Sequence, residues 1–480
     1  MQSETQKISI REKVGYSLGD TASNLFFQTF IYYMLYFYTD VFGIIAKAAG
    51  TMFIVTKIWD AVNDPMMGMI ADRTNTRWGK FRPYLIWGAI PFGVLGVLTF
   101  TTPELSDISK LIYAYITYTL LMMAYTAINV PYSAIMGVMT PNSHERTTVS
   151  SFRFIAAFVA LLFVQYFIPT MTEGAVNPQK SWQLTMTIVS GIAVVLFLIA
   201  FFSCKERVQP PKGQKTPIKQ DLIDLITNMP WVLIGITTVL QLIFICMRSG
   251  SLIYYFQYYV KDQEIALFGK AFSLSYSKLF KLFTMSGTAF TIIGVLLTKY
   301  ISKTFGKSIT YAVSLGIAGI TSGLFIFLGP QSLVLMFVLN FIASFVLGPV
   351  SVLQWAMYAD TADYSEWKKG RRATALVMSA SLFALKFGIA LGAAGNAWIL
   401  SAYGYQANVE QTAKGLLGIR MVMSIYPAIF AIMGMVIMFF YPLRKKLMAQ
   451  VESELVARRK QREQDEAETQ SIDPKSPGRE

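Results

Sequence analysis

Thr56-Lys57-Ile58-Trp59-Asp60-Ala61-Val62-Asn63-Asp64-Pro65 lies inside a long apolar segment, yet it carries one cation and two carboxylates. Read as a helix, the four-residue spacing puts Asp60 and Asp64 on one face, a turn apart. Lys57, three before Asp60, joins that side. An ionisable side chain deep in hydrocarbon costs about 2.5–3.5 kcal/mol on insertion scales. Three on one face need partners, water or an ion. The stretch therefore predicts a cation site in a membrane carrier, with Asp60 and Asp64 as its ligands (Na⁺, if sodium is the coupling ion). Lys57 reads better as a structural counter-charge.

The rest of the chain agrees with a membrane setting. Of 480 residues, 54% are hydrophobic and only 15% charged, against about 25% charged in soluble domains. Apolar runs of about 20 residues suffice to cross a hydrocarbon core about 30 Å thick. The expected class is all-α integral membrane, with about twelve helices in two six-helix bundles. The net charge of +14 reads as a positive-inside signal and not as a nucleic-acid surface. Cys204 and Cys246 form neither a disulfide framework nor a metal spacing. His144, the single histidine, falls in a polar loop, so coupling falls to carboxylates.

The domains expected are a polar N-tail over 1–13, without a cleavable signal, a first bundle over 14–203, a basic linker over 204–230, a second bundle over 231–441 and a tail over 442–480. Helix 1 is expected from Val14 and helix 2 over Ala48–Ile70, kinked or loosened by Pro65. Residues 261–281 read as a loop with an amphipathic piece from Ile265 to Phe280, and helix 8 as starting at Leu282. Residues 299–307 and 360–372 read as basic loops, and the last helix as one span, Leu417–Tyr441. Basic loops alternate with nearly uncharged ones, which places both termini in the cytoplasm of a multi-pass plasma (bacterial inner) membrane protein.

Asp20, Arg153 and Lys386 also fall in apolar spans. Arg153 is near enough to a helix end to snorkel; Lys386 is too deep and is expected to face a cavity. Asn63 and Thr126 could add oxygens to the cation site. One charge moving through the membrane potential yields about 2.3 kcal/mol per 100 mV, enough to concentrate a neutral solute more than tenfold. Tyr32, Asn24, Asn129, Tyr132 and Trp355 suit a sugar, rings against its apolar face and amides on its hydroxyls.

Gly68-x-x-x-Asp72-Arg73-x-x-x-Arg77-x-Gly79-Lys80 follows the second helix and matches a loop of the major facilitator superfamily; Lys299 to Lys307 resembles a degenerate copy. Further stretches are Gly19-Asp20-x-x-x-Asn24, Tyr38-Thr39-Asp40, Trp59 to Pro65, Arg77-x-Gly79-Lys80-Phe81-Arg82-Pro83, Ser150-Ser151-Phe152-Arg153, Ala359-Asp360-x-x-Asp363-Tyr364 and Lys386. Through these, residues 10–445 resemble the glycoside–pentoside–hexuronide:cation symporters. The resemblance implies that Asp60, Asn63, Asp64 and Thr126 line the cation site and that helices 1, 4, 5, 10 and 11 line a sugar cleft. On this basis the substrate residues are Asp20, Asn24, Asn129, Tyr132, Arg153, Trp355, Ser381 and Lys386. The gate residues are Asp72, Arg73, Arg77, Asp363 and Arg372. Galactoside carriers of the family use aspartates on helices 1 and 4 where this chain has Asn24 and Asn129, and Ser133 stands where they carry a ring. Galactoside specificity is thus not implied; a less acidic cleft suits an acidic sugar or an oligosaccharide.

The function expected is secondary symport of a sugar, glycoside or sugar acid with Na⁺ or H⁺ by alternating access, by a monomer in lipid, with no cofactor beyond the coupling ion and no nucleic acid. A lysolipid symporter of the same fold is the alternative. No loop carries the acid/base cluster of a membrane enzyme. Saturable counterflow would separate a carrier from a channel.

Overall fold

The computed structural model describes residues 8–140, 143–207, 225–267, 270–369, 374–451, 453–455 and 457–458. The first half holds α1 (Ile10–Tyr36), α2 (Ala46–Arg73), α3 (Pro83–Thr99), α4 (Asp107–Met139), α5 (Ser143–Thr172) and α6 (Pro178–Ser203). The second holds α7 (Met229–Tyr254), α8 (Tyr276–Phe305), α9 (Lys307–Gly323), α10 (Leu333–Lys369) and α11 (Thr374–Ala402), then a last span divided into α12 (Ala413–Met423) and α13 (Ile425–Phe439). Among the described residues, nine spans are long and apolar enough to cross a membrane.

Local chemistry sets the boundaries. Ser9 accepts the backbone N–H of Glu12 at 3.2 Å and starts α1 at Ile10, ahead of the expected Val14. Ser275 caps α8 in the same way, so that helix starts at Tyr276 and not at Leu282. It also runs through the expected basic loop to Phe305, ending at Gly306, whose φ of +85° suits a residue without Cβ. α10 absorbs residues 360–369 of another expected loop; Lys368 and Lys369 sit in its last turn, where cations complement the helix dipole. The expected amphipathic piece after α7 is a hairpin instead. β1 (Gln263–Leu267) pairs antiparallel with β2 (Lys270–Leu274), from Gln263↔Leu274 to Leu267↔Lys270. So short a segment is a marginal helix in water, whereas a ladder pairs its backbone groups. α2 continues unbroken past Pro65. The last span is broken at Ser424, whose hydroxyl bonds the Arg420 carbonyl at 2.5 Å.

Two further irregularities are related. α1 passes into a π-helical turn over Phe37–Val41, and α7 into another over Tyr255–Val260. Each half therefore ends its first helix with a π turn, at the end of the molecule away from the chain termini.

α1 packs on α5 and α6, α3 on α4 and α6, and α2 on α4; in the second half α8 packs on α10, α9 on α10 and α13, and α7 on α11 and α13. Between the halves, α2 meets α11, α1 meets α7 and α5 meets α8. One apolar core fills the first half and continues across the far end into Tyr254, Phe256, Phe280 and Leu400. A second core, around Tyr311, Leu315, Leu353 and Tyr358, belongs to the second half alone. The halves thus share packing at the far end and separate toward the end that bears the termini.

Candidate functional site

Between the halves lies a cavity of about 480 Å³. α1, α2, α4 and α5 supply Asp20, Asn24, Lys57, Asp60, Asp64, Thr126, Asn129, Ser133 and Arg153; α7 and α11 supply Cys246, Lys386 and Asn396. One turn of α2 separates the two carboxylates, as the opening spacing predicts.

Thr126 on α4 lies across that turn. Its Oγ1 is 3.1 Å from Asp60 Oδ1 and 2.9 Å from Asp64 Oδ1. A hydroxyl has one proton to donate, so it serves one carboxylate at a time. Lys57 Nζ lies 3.0 Å from Asp60 Oδ2. Lys386, from the other half, reaches Asp60 Oδ2 at 3.4 Å and makes its shortest contact with Asp64 Oδ2. Asp60 is 1% exposed, so its charge depends on these partners and not on water. Two ammonium groups face two carboxylates, and the cluster is neutral. Asn63, the expected supporting oxygen, is half-buried and stands outside the cavity wall.

The second polar group is on α1, α4 and α5. Arg153 binds Asp20 through both Nε and Nη2, the latter at 3.0 Å from Oδ1. Its guanidinium lies over the rings of Tyr132 and Tyr16, 5.3 and 5.7 Å from the centroids. It therefore does not snorkel to water; a carboxylate and two aromatic faces hold it in the wall. Tyr16 and Tyr132 stack at 4.7 Å. Each hydroxyl donates to the other's carbonyl, at 3.0 and 2.7 Å. Tyr132 is thus a fully buried backing for Arg153 and not a ring of the cavity surface. Asn129 accepts from Ser23 at 2.6 Å and donates to the Tyr125 carbonyl; Asn24 donates to the Asp20 carbonyl at 2.9 Å. Both amides remain on the wall.

Two expected substrate residues stand elsewhere. Trp355 packs with the second-half core, and Ser381 bonds Trp231 Nε1 at 3.3 Å and the Val377 carbonyl at 2.6 Å. Neither lines the cavity; helical phase turns them into the second half.

At the far end, Asp40 in the first π turn is a buried acceptor between the halves. The Tyr405 hydroxyl contacts both its oxygens at 2.7 Å, and Thr39 and Tyr258 also donate to it. Asn408 donates to the Asp40 carbonyl at 2.6 Å, while the Thr39 and Tyr254 hydroxyls meet at 2.8 Å. Sequence reasoning matched Tyr38-Thr39-Asp40 but gave it no task. Its partners are distant in the chain and carry no charge, so no pattern pointed to them.

At the other end, the basic loop after α2 is held by Glu206. Its carboxylate accepts the backbone N–H groups of Lys80, Phe81 and Arg82, each at 2.8 Å, just before α3. Gly79 has φ +110°, and a Cβ there would fall 2.7 Å from Glu206 Oε1. The Gly-Lys of the motif therefore fits a carboxylate within the same half. Nearby, Arg207 binds Glu12 bidentately at 2.7 Å, which raises the guanidinium pKa above its ordinary value. Lys307 holds Asp360 at 2.7 and 2.8 Å in the second half. Of the expected gate residues, Arg73 and Arg77 are exposed, Arg77 over the Trp78 ring at 4.8 Å, and Asp363 is half-buried within α10. The side chain of Asp72 and all of Arg372 lie outside the described residues.

Residues 15–445 match the family model described as MFS/sugar transport protein. The chain is 35% identical over 437 residues to the inner membrane symporter YicJ of Escherichia coli (strain K12), covering 90% of this chain and 92% of that one. It is 36% identical over 455 residues to an isoprimeverose transporter of Lactiplantibacillus pentosus (92% and 91% covered). To the glucuronide carrier protein homolog of Escherichia coli (strain K12) it is 33% identical over 464 residues (96% and 98% covered). Among solved structures it superposes on a bacterial homologue of the human lysosomal transporter Spinster in an inward-facing, unoccupied conformation. The TM-score is 0.64, with 13% identity and 92% and 97% of the chains covered. A bacterial homologue of the human peptide transporters PepT1 and PepT2 gives a TM-score of 0.64 at 12% identity (90% and 97% covered).

Proposed function

Because the chain belongs to the MFS/sugar transport protein family, we propose that it is a cation-coupled symporter that carries an uncharged glycoside through the cavity between its halves. The wall charge carries this reading. Lys57, Arg153 and Lys386 stand against Asp20, Asp60 and Asp64. A wall neutral overall, lined by amide and hydroxyl groups, favours hydroxyls over a carboxylate. An acidic sugar, one of the substrates expected from sequence, would need a cation freed from its carboxylate partner. A cavity of about 480 Å³ is within the usual range of about 300–1,000 Å³ for small-molecule sites, with room for more than one sugar ring.

Asp60, Asp64 and Thr126 are the proposed seat of the coupling cation, Na⁺ or H⁺. In the conformation described, the Lys386 ammonium takes that seat. An arriving cation must displace it, since a fifth charge would leave a buried net positive charge. Displacement frees α11 from α2 and so couples the ion to movement of the halves. With both termini cytoplasmic, the separated end faces the cytoplasm and the Asp40 cluster closes the external side. This is the inward-facing state after release, with Lys386 standing in for the departed ion on the return.

The test is uptake into proteoliposomes of a panel of neutral glycosides and uronates, with and without a Na⁺ or proton gradient. A neutral glycoside should accumulate under a cation gradient, and Asp64→Asn should abolish accumulation. Preference for uronates, or full concentrative uptake by the variant, would overturn the assignment.

A further inference from the structure

Two cations neutralise the α2 carboxylates, and they are held differently. Lys386 reaches them from α11, in the other half. Lys57 belongs to α2 itself, three residues before Asp60, with its Nζ 3.0 Å from Asp60 Oδ2. Three residues of helix rise about 4.5 Å, and the backbone fixes that offset. Movement of one half against the other can carry Lys386 away from α2. It cannot part Lys57 from Asp60.

Other partners for Lys57 are already taken. Its side chain is 15% exposed and that of Asp60 1%, so the pair draws little on bulk water. Besides Asp60 and Asp64, the carboxylate that lines the cavity among the described residues is Asp20. Arg153 binds Asp20 through two nitrogens. Lys57 therefore stays on Asp60. Asp60 is committed in turn, Oδ2 to Lys57 and Oδ1 within 3.1 Å of Thr126 Oγ1. Asp64, with a side chain 28% exposed, is the carboxylate that opens to the cavity.

With Lys386 in place, two cations face two carboxylates. With Lys386 displaced, Lys57 still cancels one carboxylate, and a single monovalent ion restores neutrality. A divalent ion, or a second monovalent one, would leave an unpaired positive charge in a site shielded from water, which is strongly disfavoured. Among the described residues no third Asp, Glu, His or Cys joins the pair as a metal-holding group, so nothing there offsets the excess.

We propose that Lys57 sets the valence of the cation seat: by staying on Asp60 it limits the seat to one monovalent ion and excludes divalent metal ions. The proposal rests on the reading of Asp60, Asp64 and Thr126 as that seat. Lys57 is then a specificity-determining residue that acts through Asp60 and need not touch the ion.

The test is titration of the purified full chain in detergent with Mn²⁺, the free ion being read by electron paramagnetic resonance. Lys57→Gln keeps a donor for Asp60 and removes the charge. It should bind Mn²⁺ at least about tenfold more tightly than the parent. Lys57→Met should gain in the same direction. Lys57→Arg, which restores the charge, should bind Mn²⁺ no better than the parent. Adding Asp64→Asn to Lys57→Gln should abolish the gain. No gain in either neutral variant, or an equal gain in Lys57→Arg, overturns the role of Lys57 and leaves the seat intact. A gain that survives Asp64→Asn overturns the proposal together with the reading of Asp64 as a ligand.

Discussion

Lys386 on α11 lies 3.4 Å from Asp60 Oδ2 and closer still to Asp64, so one ammonium from the second half neutralises part of both α2 carboxylates. Lys57, 3.0 Å from Asp60, completes a neutral set of four charges. Removing Lys386 leaves a net negative site. Lys386→Met should therefore tighten Na⁺ or proton binding about tenfold, or about 1.4 kcal/mol, while uncoupling sugar accumulation from the cation gradient. Cation titration by calorimetry and gradient-driven uptake check the two halves of the prediction. Unchanged affinity would mean that Lys386 does not compete for the seat.

Arg153 depends on geometry as well as charge. Lysine keeps the charge but cannot form the two-point contact with Asp20 while lying flat over Tyr16 and Tyr132. Arg153→Lys should raise the half-saturation for sugar and lower the maximal rate, together at least about tenfold in their ratio. Cation binding, proposed for α2 and α4, should change little. Uptake kinetics and cation titration on the same preparation separate the two.

The Asp40 cluster predicts a conformational phenotype. Asp40→Asn replaces a carboxylate that accepts from three hydroxyls, and a hydrogen bond to a charged group contributes about 1.5–3 kcal/mol. The seal proposed for the external side should weaken by at least about tenfold in population. Cys246 lines the cavity and reports on this directly. In a Cys204→Ser background, an impermeant maleimide added outside should label Cys246 faster in Asp40→Asn than in the parent. Equal rates would remove Asp40 from the seal.

Glu206 holds the loop ahead of α3 in place. Its carboxylate caps three backbone N–H groups ahead of α3, so Glu206→Ala should cost about 1–3 kcal/mol. A lower thermal unfolding midpoint in detergent is expected, with Glu206→Gln between the variant and the parent. Sugar affinity should follow the parent at temperatures where the variant is folded.

What the sequence made legible was what periodicity and cost can reveal. Charges in apolar runs located Asp20, Lys57, Asp60, Asp64 and Lys386, because such groups are costly in hydrocarbon, whereas Arg153 read as able to snorkel and its hold on Asp20 emerges only from the fold. The sequence also supported the twelve-span plan. Less legible were features that depend on distant neutral partners. Nothing in the spacing of Tyr258 or Tyr405 points to Asp40. Trp355 read as a cavity residue because rings suit sugars, and Ser381 through the family resemblance, but their helical phase faces the second-half core. Glu206 lies in a basic stretch that reads as linker, so its capping contact emerges only from the fold. The hairpin after α7 was hidden because a short amphipathic run fits either period.

The paired π turns at Phe37–Val41 and Tyr255–Val260 constrain the chain by length as well as by identity. In a helix each residue advances the side-chain direction by about 100°. Deleting one residue from either turn would swing Asp40 away from Tyr405, or Tyr258 away from Asp40, with every side chain in place by name. These two segments should therefore tolerate conservative replacement far better than a single-residue insertion or deletion.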